Sequence, residues 1–110
     1  MESTSSYFAG IDSKGKAIEE YNNGKLEKLY LMALRFGGAA DDRNMVYVPI
    51  GIAKIKDSYD NVVEDLLKQN KVESYNCDLK YRGNSVIPCE IIIVASKDGR
   101  EVFKEAINVW

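Results

Sequence analysis

No histidine occurs in the 110 residues of this chain. An imidazole base, an imidazole metal ligand and a Ser–His or Cys–His couple are therefore all excluded. Oxygen ligands remain. Asp41, Asp42 and Asn44 lie close together and could hold a hard cation such as Mg²⁺ or Mn²⁺, although their spacing is not that of an EF-hand and a solvated acidic loop is the plainer reading. Cys77 and Cys89 lack zinc-ligand spacing and read as buried apolar residues. Gly37-Gly38 is not followed by the Gly-Lys-Ser/Thr of a phosphate loop, so it reads as a turn. Tyr75, Lys80, Tyr81 and Arg82 could form a stacking and charge patch for nucleic acid, and cross-strand packing explains them as well.

Several elements must position these residues. Residues 1–6 are polar and are expected to be a frayed tail. Tyr7–Asp12 and Lys16–Tyr21 flank Ser13-Lys14-Gly15 and are read as a hairpin. Asn22-Asn23-Gly24 marks a turn. Leu26–Phe36 carries both strand and helix signals, and a strand is preferred. Residues 37–42 form a loop, and Met45–Val48 a short extended piece ending at Pro49. Ile55, Tyr59, Val62, Val63, Leu66 and Leu67 recur at helical spacing. With Lys56, Asp57, Asp60, Glu64, Asp65 and Lys68 on the opposite, water-facing side, they predict a helix over about residues 54–69.

Tyr75, Cys77, Leu79 and Tyr81 alternate with polar residues as a half-buried strand does. Gly83-Asn84 turns the chain into a second strand over Val86–Ala95, with Pro88 at an edge or bulge. A two-residue turn there would set Cys77 opposite Glu90 and put Cys89 on the other face, against an intrachain disulfide. After Ser96-Lys97-Asp98-Gly99 the last segment is double-valued. Its apolar spacing fits a helix, and the tight turn after a strand fits a hairpin.

Length and composition frame these elements as one α+β domain spanning 1–110, a small antiparallel sheet with one main helix. The chain is 45% apolar and 29% charged, with 15 basic and 17 acidic side chains and a net charge of −2. That is globular composition rather than disorder, without the basic excess of a non-specific nucleic-acid binder. No apolar run approaches the roughly 20 residues of a membrane span, and the N-terminus lacks the plan of a signal peptide. A cytoplasmic protein with no membrane partner is expected.

Read in order, several segments resemble one family. Tyr81-Arg82-Gly83-Asn84-Ser85-Val86-Ile87-Pro88 is similar to the Tyr-x-Gly-Asn-Ser-x-Arg-Pro segment of bacterial DNA/RNA non-specific endonucleases, including the C-terminal nuclease domains of polymorphic toxins. Phe36-Gly37-Gly38 with Asn44-Met45-Val46 resembles their Phe-Gly-Gly … Asn-Leu-Val segment. The Tyr59–Lys71 helix, the strand entry at Lys71-Val72 and Ile11–Lys16 follow the same order. The resemblance spans nearly the whole chain.

The resemblance implies a ββα-metal nuclease-like fold and a strand, rather than a helix, for residues 101–110. It also implies a histidine, within Asp-x-Gly-His-Leu-x-Ala, that activates water beside one divalent metal. Placed before Phe36, that segment falls on Glu27–Ala33. Tyr30 takes the histidine position, Leu31 and Ala33 fit, Glu27 replaces the Asp and Leu29 the Gly. Ile50–Lys54 lacks the metal-binding Asn, and Ile87 stands for the family Arg. A positioned general base contributes about 10²- to 10⁴-fold in rate, and a phenol, with a reference pKa near 10, is a poor one at neutral pH.

The expectation is a non-catalytic nuclease-like domain that binds and needs no cofactor. Its overall acidity favours a protein partner over nucleic acid, with an immunity or inhibitor role as one form. Arg35, Lys80, Arg82 and Asn84 are the candidate binding residues. One alternative is an endonuclease with a rebuilt Mg²⁺ or Mn²⁺ site from Asp41, Asp42, Asn44 and Glu27, with Tyr30 participating. Another is a small α+β adaptor with no readable site.

Overall fold

The turn at Asn23-Gly24 hands a helical segment to a strand, and a second strand, a long helix and three further strands follow. The computed structural model describes residues 4–110. Its elements are α1 (Thr4–Ala9), α2 (Lys14–Asn22), β1 (Leu26–Tyr30), β2 (Met45–Pro49), α3 (Ile52–Lys68), β3 (Ser74–Lys80), β4 (Glu90–Lys97) and β5 (Arg100–Asn108). Short 3-10 turns at Leu34–Phe36 and Asp42–Asn44 punctuate the β1–β2 connection. The fold is α+β, with its antiparallel strands divided between a β1–β2 ladder and a β3–β4–β5 sheet.

The N-terminal expectation is corrected. Residues 1–3 of the anticipated tail lie outside the described residues, while Thr4–Ala9 is helical, and the anticipated hairpin over 7–21 is a pair of helices. Ser13 accounts for the difference. In extended conformation, its hydroxyl accepts from the Lys16 backbone N–H at 3.2 Å and caps α2. The same Ser that suggests a turn is also a strong helix N-cap. Phe8, Ile11 and Ala17 then bury against Leu26 and Ile87.

The Gly83–Pro88 segment fastens this helical pair to the sheet. The Ser85 hydroxyl donates to the Phe8 carbonyl at 2.7 Å, and the Val86 N–H donates to the Ile11 carbonyl at 2.9 Å. The Trp110 indole donates to the Ile87 carbonyl at 3.0 Å. These bonds occupy residues 83–88, so β4 begins at Glu90, not at Val86. The register follows: Cys77 opposes Ile93, and Lys80, not Cys77, opposes Glu90. Cys77 and Cys89 are free thiols. Pro88, almost wholly buried, precedes the ladder and removes no bond from it.

The final segment is a strand. β5 pairs along β4 with a register shift between Ala95 and Ser96, and the turn before it holds Asp98 and Gly99 at φ of 52° and 76°. Those left-handed conformations suit Asp-Gly and make the tight reversal. Phe103 and Ile107 then pack into the core with α3, as Ile91, Ile93 and Ala95 do from β4.

The main core joins Leu29, Val48 and Ile52 to Ile91, Ile93 and Ile107, so α3 bridges the two sheets. A second part, Val63 with Val72 and Ala95, buries the C-terminal half of the helix. The face of α3 that turns inward corrects the expected stripe. Ile52, Lys56, Asp60 and Val63 are the buried residues, while Ile55, Val62 and Leu67 are exposed. Lys56 and Asp60 are therefore core residues, not part of a water-facing side. No helix among the described residues is long and apolar enough to cross a membrane.

Candidate functional site

β1, β2 and α3 follow one another as strand, strand and helix, and α3 starts where β2 ends. Its N-terminus is capped from β1 and not from within. The Glu27 carboxylate accepts the backbone N–H groups of Gly51 at 2.7 Å and Ala53 at 3.1 Å. Gly51, at φ 105°, has no side chain to cap with, so an acidic group from the neighbouring strand satisfies donors that would otherwise be orphaned. This fixes how α3 sits against the end of β1.

Between them lies a cleft of about 300 Å³, lined among others by Lys28, Tyr30, Leu34, Arg35, Lys56 and Asp60. Tyr30 is the last residue of β1, and its hydroxyl makes no hydrogen bond to another described residue. Arg35 stacks over Phe36, its carbon centre 5.4 Å from the ring, and reaches along α3 to Asp57 at 3.3 Å and Glu64 at 3.5 Å.

The inner wall of the cleft is a network that the sequence reading missed. The Lys56 ammonium donates to Asp60 at 2.6 Å, with both side chains only 3% exposed. The Tyr75 hydroxyl donates its one proton chiefly to the other Asp60 oxygen at 2.8 Å, with the Leu31 carbonyl at 3.2 Å as a second acceptor. Lys56 also stands 5.4 Å from the centre of the Tyr75 ring, within cation–π range. Burial, then the bond to Asp60, raises the Tyr75 pKa far above the ordinary phenol value. Burial likewise pushes the nearby Cys77 thiol up to about 11, leaving it an unreactive neighbour. A signal for this network was present: Lys56 falls between Ile52 and Tyr59 on one helical stripe, and Tyr75 sits at an inward position of β3.

The structure brings Tyr30 and Arg35 together at this cleft and leaves the other candidate binding residues elsewhere. Lys80 pairs with Glu90 across the β3–β4 ladder at 3.5 Å. The Arg82 guanidinium lies 5.5 Å from the centre of the Trp110 ring, and Asn84 is exposed in the turn after it. Tyr75 points to the interior while Tyr81 is exposed, so the two tyrosines do not form one stacking platform.

The residues weighed as cation ligands do not assemble into a site. The Asn44 side chain accepts the Met32 N–H and donates to the Met32 and Ala39 carbonyls, stapling the loop between the two strands. A β-carbon at Gly38 would overlap the Met32 carbonyl oxygen, so the glycine is required beside this staple. Asp41 binds Arg43, which holds its carboxyl below the usual range, and Asp42 binds Lys14. Glu27 is committed to α3. Among the described residues no three His, Cys, Asp or Glu side chains group as metal ligands. Among the described residues, the side chains weighed for a divalent ion are thus engaged with other partners.

No protein-family model matches the chain, and no curated protein matches its sequence.

Proposed function

We propose that this chain is a nuclease-like domain that binds without cutting, with a protein partner favoured over nucleic acid. An immunity or inhibitor role toward an active nuclease is the form most in keeping with the sequence resemblance. One observation carries the reading. At the end of β1, where the resemblance calls for a water-activating imidazole, stands Tyr30, beside a cleft whose two carboxylates, Asp57 and Asp60, are both paired with cations. Lys56 is paired to Asp60 and Arg35 to Asp57 and Glu64. A hydrolytic centre needs a base and an electrophile that face the substrate unengaged. The net charge of −2 supports a protein partner, since duplex binding draws on clustered cations that neutralise phosphates.

The test has two arms. Plasmid DNA and RNA incubated with the purified protein and Mg²⁺ or Mn²⁺ should remain intact at high protein concentration. Gel shift on DNA and RNA, and pulldown with an active nuclease domain bearing the Asp-x-Gly-His-Leu-x-Ala segment, should give retention of the nuclease and none of the nucleic acid. Metal-dependent cleavage abolished by Tyr30→Phe, or no affinity for any of these ligands, would overturn the proposal.

A further inference from the structure

β4 carries apolar side chains on both of its faces. Ile91, Ile93 and Ala95 are wholly buried in the core. Side chains alternate along a strand, so Ile92 and Val94 point out of the opposite face. They are only partly buried and join none of the core clusters. The ladder sets Ile92 between Asp78 of β3 and Ala106 of β5, and Val94 between Asn76 and Lys104. Directly opposed residues of an antiparallel ladder share a face, so these six side chains form one outer surface. An antiparallel sheet commonly turns a polar face to water. Here the middle strand places Ile92 and Val94 there instead, and the charges stand at the margins. Asp78 and Lys104 lie on opposite edge strands, in neighbouring rows. Two strand spacings put about 10 Å and β4 between those edges. Among the described residues neither Asp78 nor Lys104 has an ion-pair partner.

We propose that this outer face is the interface of a two-fold dimer, in which two copies of the chain pack sheet on sheet. The charges select the axis. A two-fold along β4 lays β3 of each copy over β5 of the other. Asp78 of one copy then comes beside Lys104 of its partner, twice, around a centre of Ile92, Val94 and Ala106. A two-fold across the strands lays β3 over β3 and gathers like charges, Asp78 with Asp78 and Lys104 with Lys104. The two unpaired charges therefore complement each other between copies, where within one chain they cannot meet. The face runs along β4 from Glu90 to Ser96. At ~3.4 Å per residue and ~4.8 Å per strand it covers about 400 Å² of each copy. A standard interface buries about 1,200 Å² or more in total. The dimer is accordingly weak, with a Kd of about 10 µM to 1 mM.

This inference does not depend on the nuclease-like reading and is tested with the full chain alone. Sedimentation equilibrium over about 10 µM to 1 mM should show a monomer–dimer equilibrium. Over the same range the amide and methyl resonances of Ile92, Val94 and Ala106 should move with concentration, and those of Ile55 and Val62 on α3 should not. Asp78→Lys and Lys104→Asp should each weaken the dimer about tenfold or more, since each sets like charges across both contacts. An equimolar mixture of the two variants should dimerise about as tightly as the unmutated chain, because acid then faces base at both contacts. That rescue cannot arise within one chain. Both positions are exposed, and the concentration-dependent shifts of the unmutated chain give a readout without either variant. A chain that stays monomeric, shifts confined to other surfaces, single variants that dimerise undiminished, or a mixture no tighter than its components would each overturn the inference. Shifts at Ile92 and Val94 that appear only on adding an active nuclease would also overturn it, by giving the face to that partner.

Discussion

Helix α3 carries the same kind of ion pair at both ends, in opposite surroundings. Near its N-terminus Lys56 and Asp60 meet at 2.6 Å, each 3% exposed. Near its C-terminus Lys68 and Glu64 meet at 3.5 Å, 72% and 35% exposed. Both are one helical turn apart. The exposed pair has the acid first, the order that isolated helices favour, and the buried pair has the base first. Helix-local energetics would thus favour the outer pair. The inner pair is held by what surrounds it: Tyr75 on Asp60, the Tyr75 ring beside Lys56, and the core formed by Ile52 and its neighbours. Spacing along a helix specifies which side chains can meet, and tertiary burial sets what the meeting is worth.

The sharpest way to break this comparison is to remove one partner at each end. Lys56→Met strands a buried carboxylate and should cost about 3–5 kcal/mol in urea unfolding, while Lys56→Met/Asp60→Leu should recover most of that loss. Equal losses for the single and double variants would refute the ion-pair account. Tyr75→Phe leaves an Asp60 oxygen without its donor and should cost about 1–3 kcal/mol by the same measurement.

Alkaline titration tests the same network by proton linkage. Tyr75 and the Cys77 thiol, the latter at about 11 against an ordinary 9.0, are both raised in the folded state. Their contribution is fully present below pH 9 and is lost as pH rises through their folded values. Unfolding free energy should therefore decline between about pH 9 and 11. The Tyr75→Phe/Cys77→Ala double variant should decline less steeply, and an unchanged slope would count against the burial of both groups. Glu27→Ala should cost about 1 kcal/mol by uncapping α3, readable as faster amide exchange at Gly51 and Ala53. Smallest of all, Lys68→Ala at the exposed end should fall below about 0.5 kcal/mol, and a larger loss would erase the contrast on which the comparison stands.

Much of the fold was legible. The spacing of Tyr59, Val63 and Leu66 located α3, the alternation of Tyr75, Cys77 and Leu79 located β3, and the Asp98-Gly99 turn with the family resemblance placed a strand at the C-terminus. Where the reading failed, one residue type served two structures. Ser13 begins turns and caps helices alike, so α2 was hidden inside an apparent hairpin. Ile55 and Val62 look like core by hydropathy but sit on the outer flank of α3, and Lys56 and Asp60 look like surface but close the interior. Periodicity gives the rotation of a helix only when polar residues stay outside, and a mutually satisfied polar pair violates that condition. For the candidate site, Tyr30 was singled out through the resemblance and Arg35 among the possible binding residues. Lys56, Asp60 and Tyr75 were missed because their partnership spans a helix and a strand that no local pattern links.

The carboxylate that β1 lends to α3 also acts as a check on assembly. Side chains alternate across a strand, so sliding β1 by one residue against β2 would swing Glu27 to the opposite side and leave Gly51 and Ala53 unbonded. A chain that pairs its first two strands out of step therefore leaves its longest helix without this cap, and the mispaired form is the less stable for it.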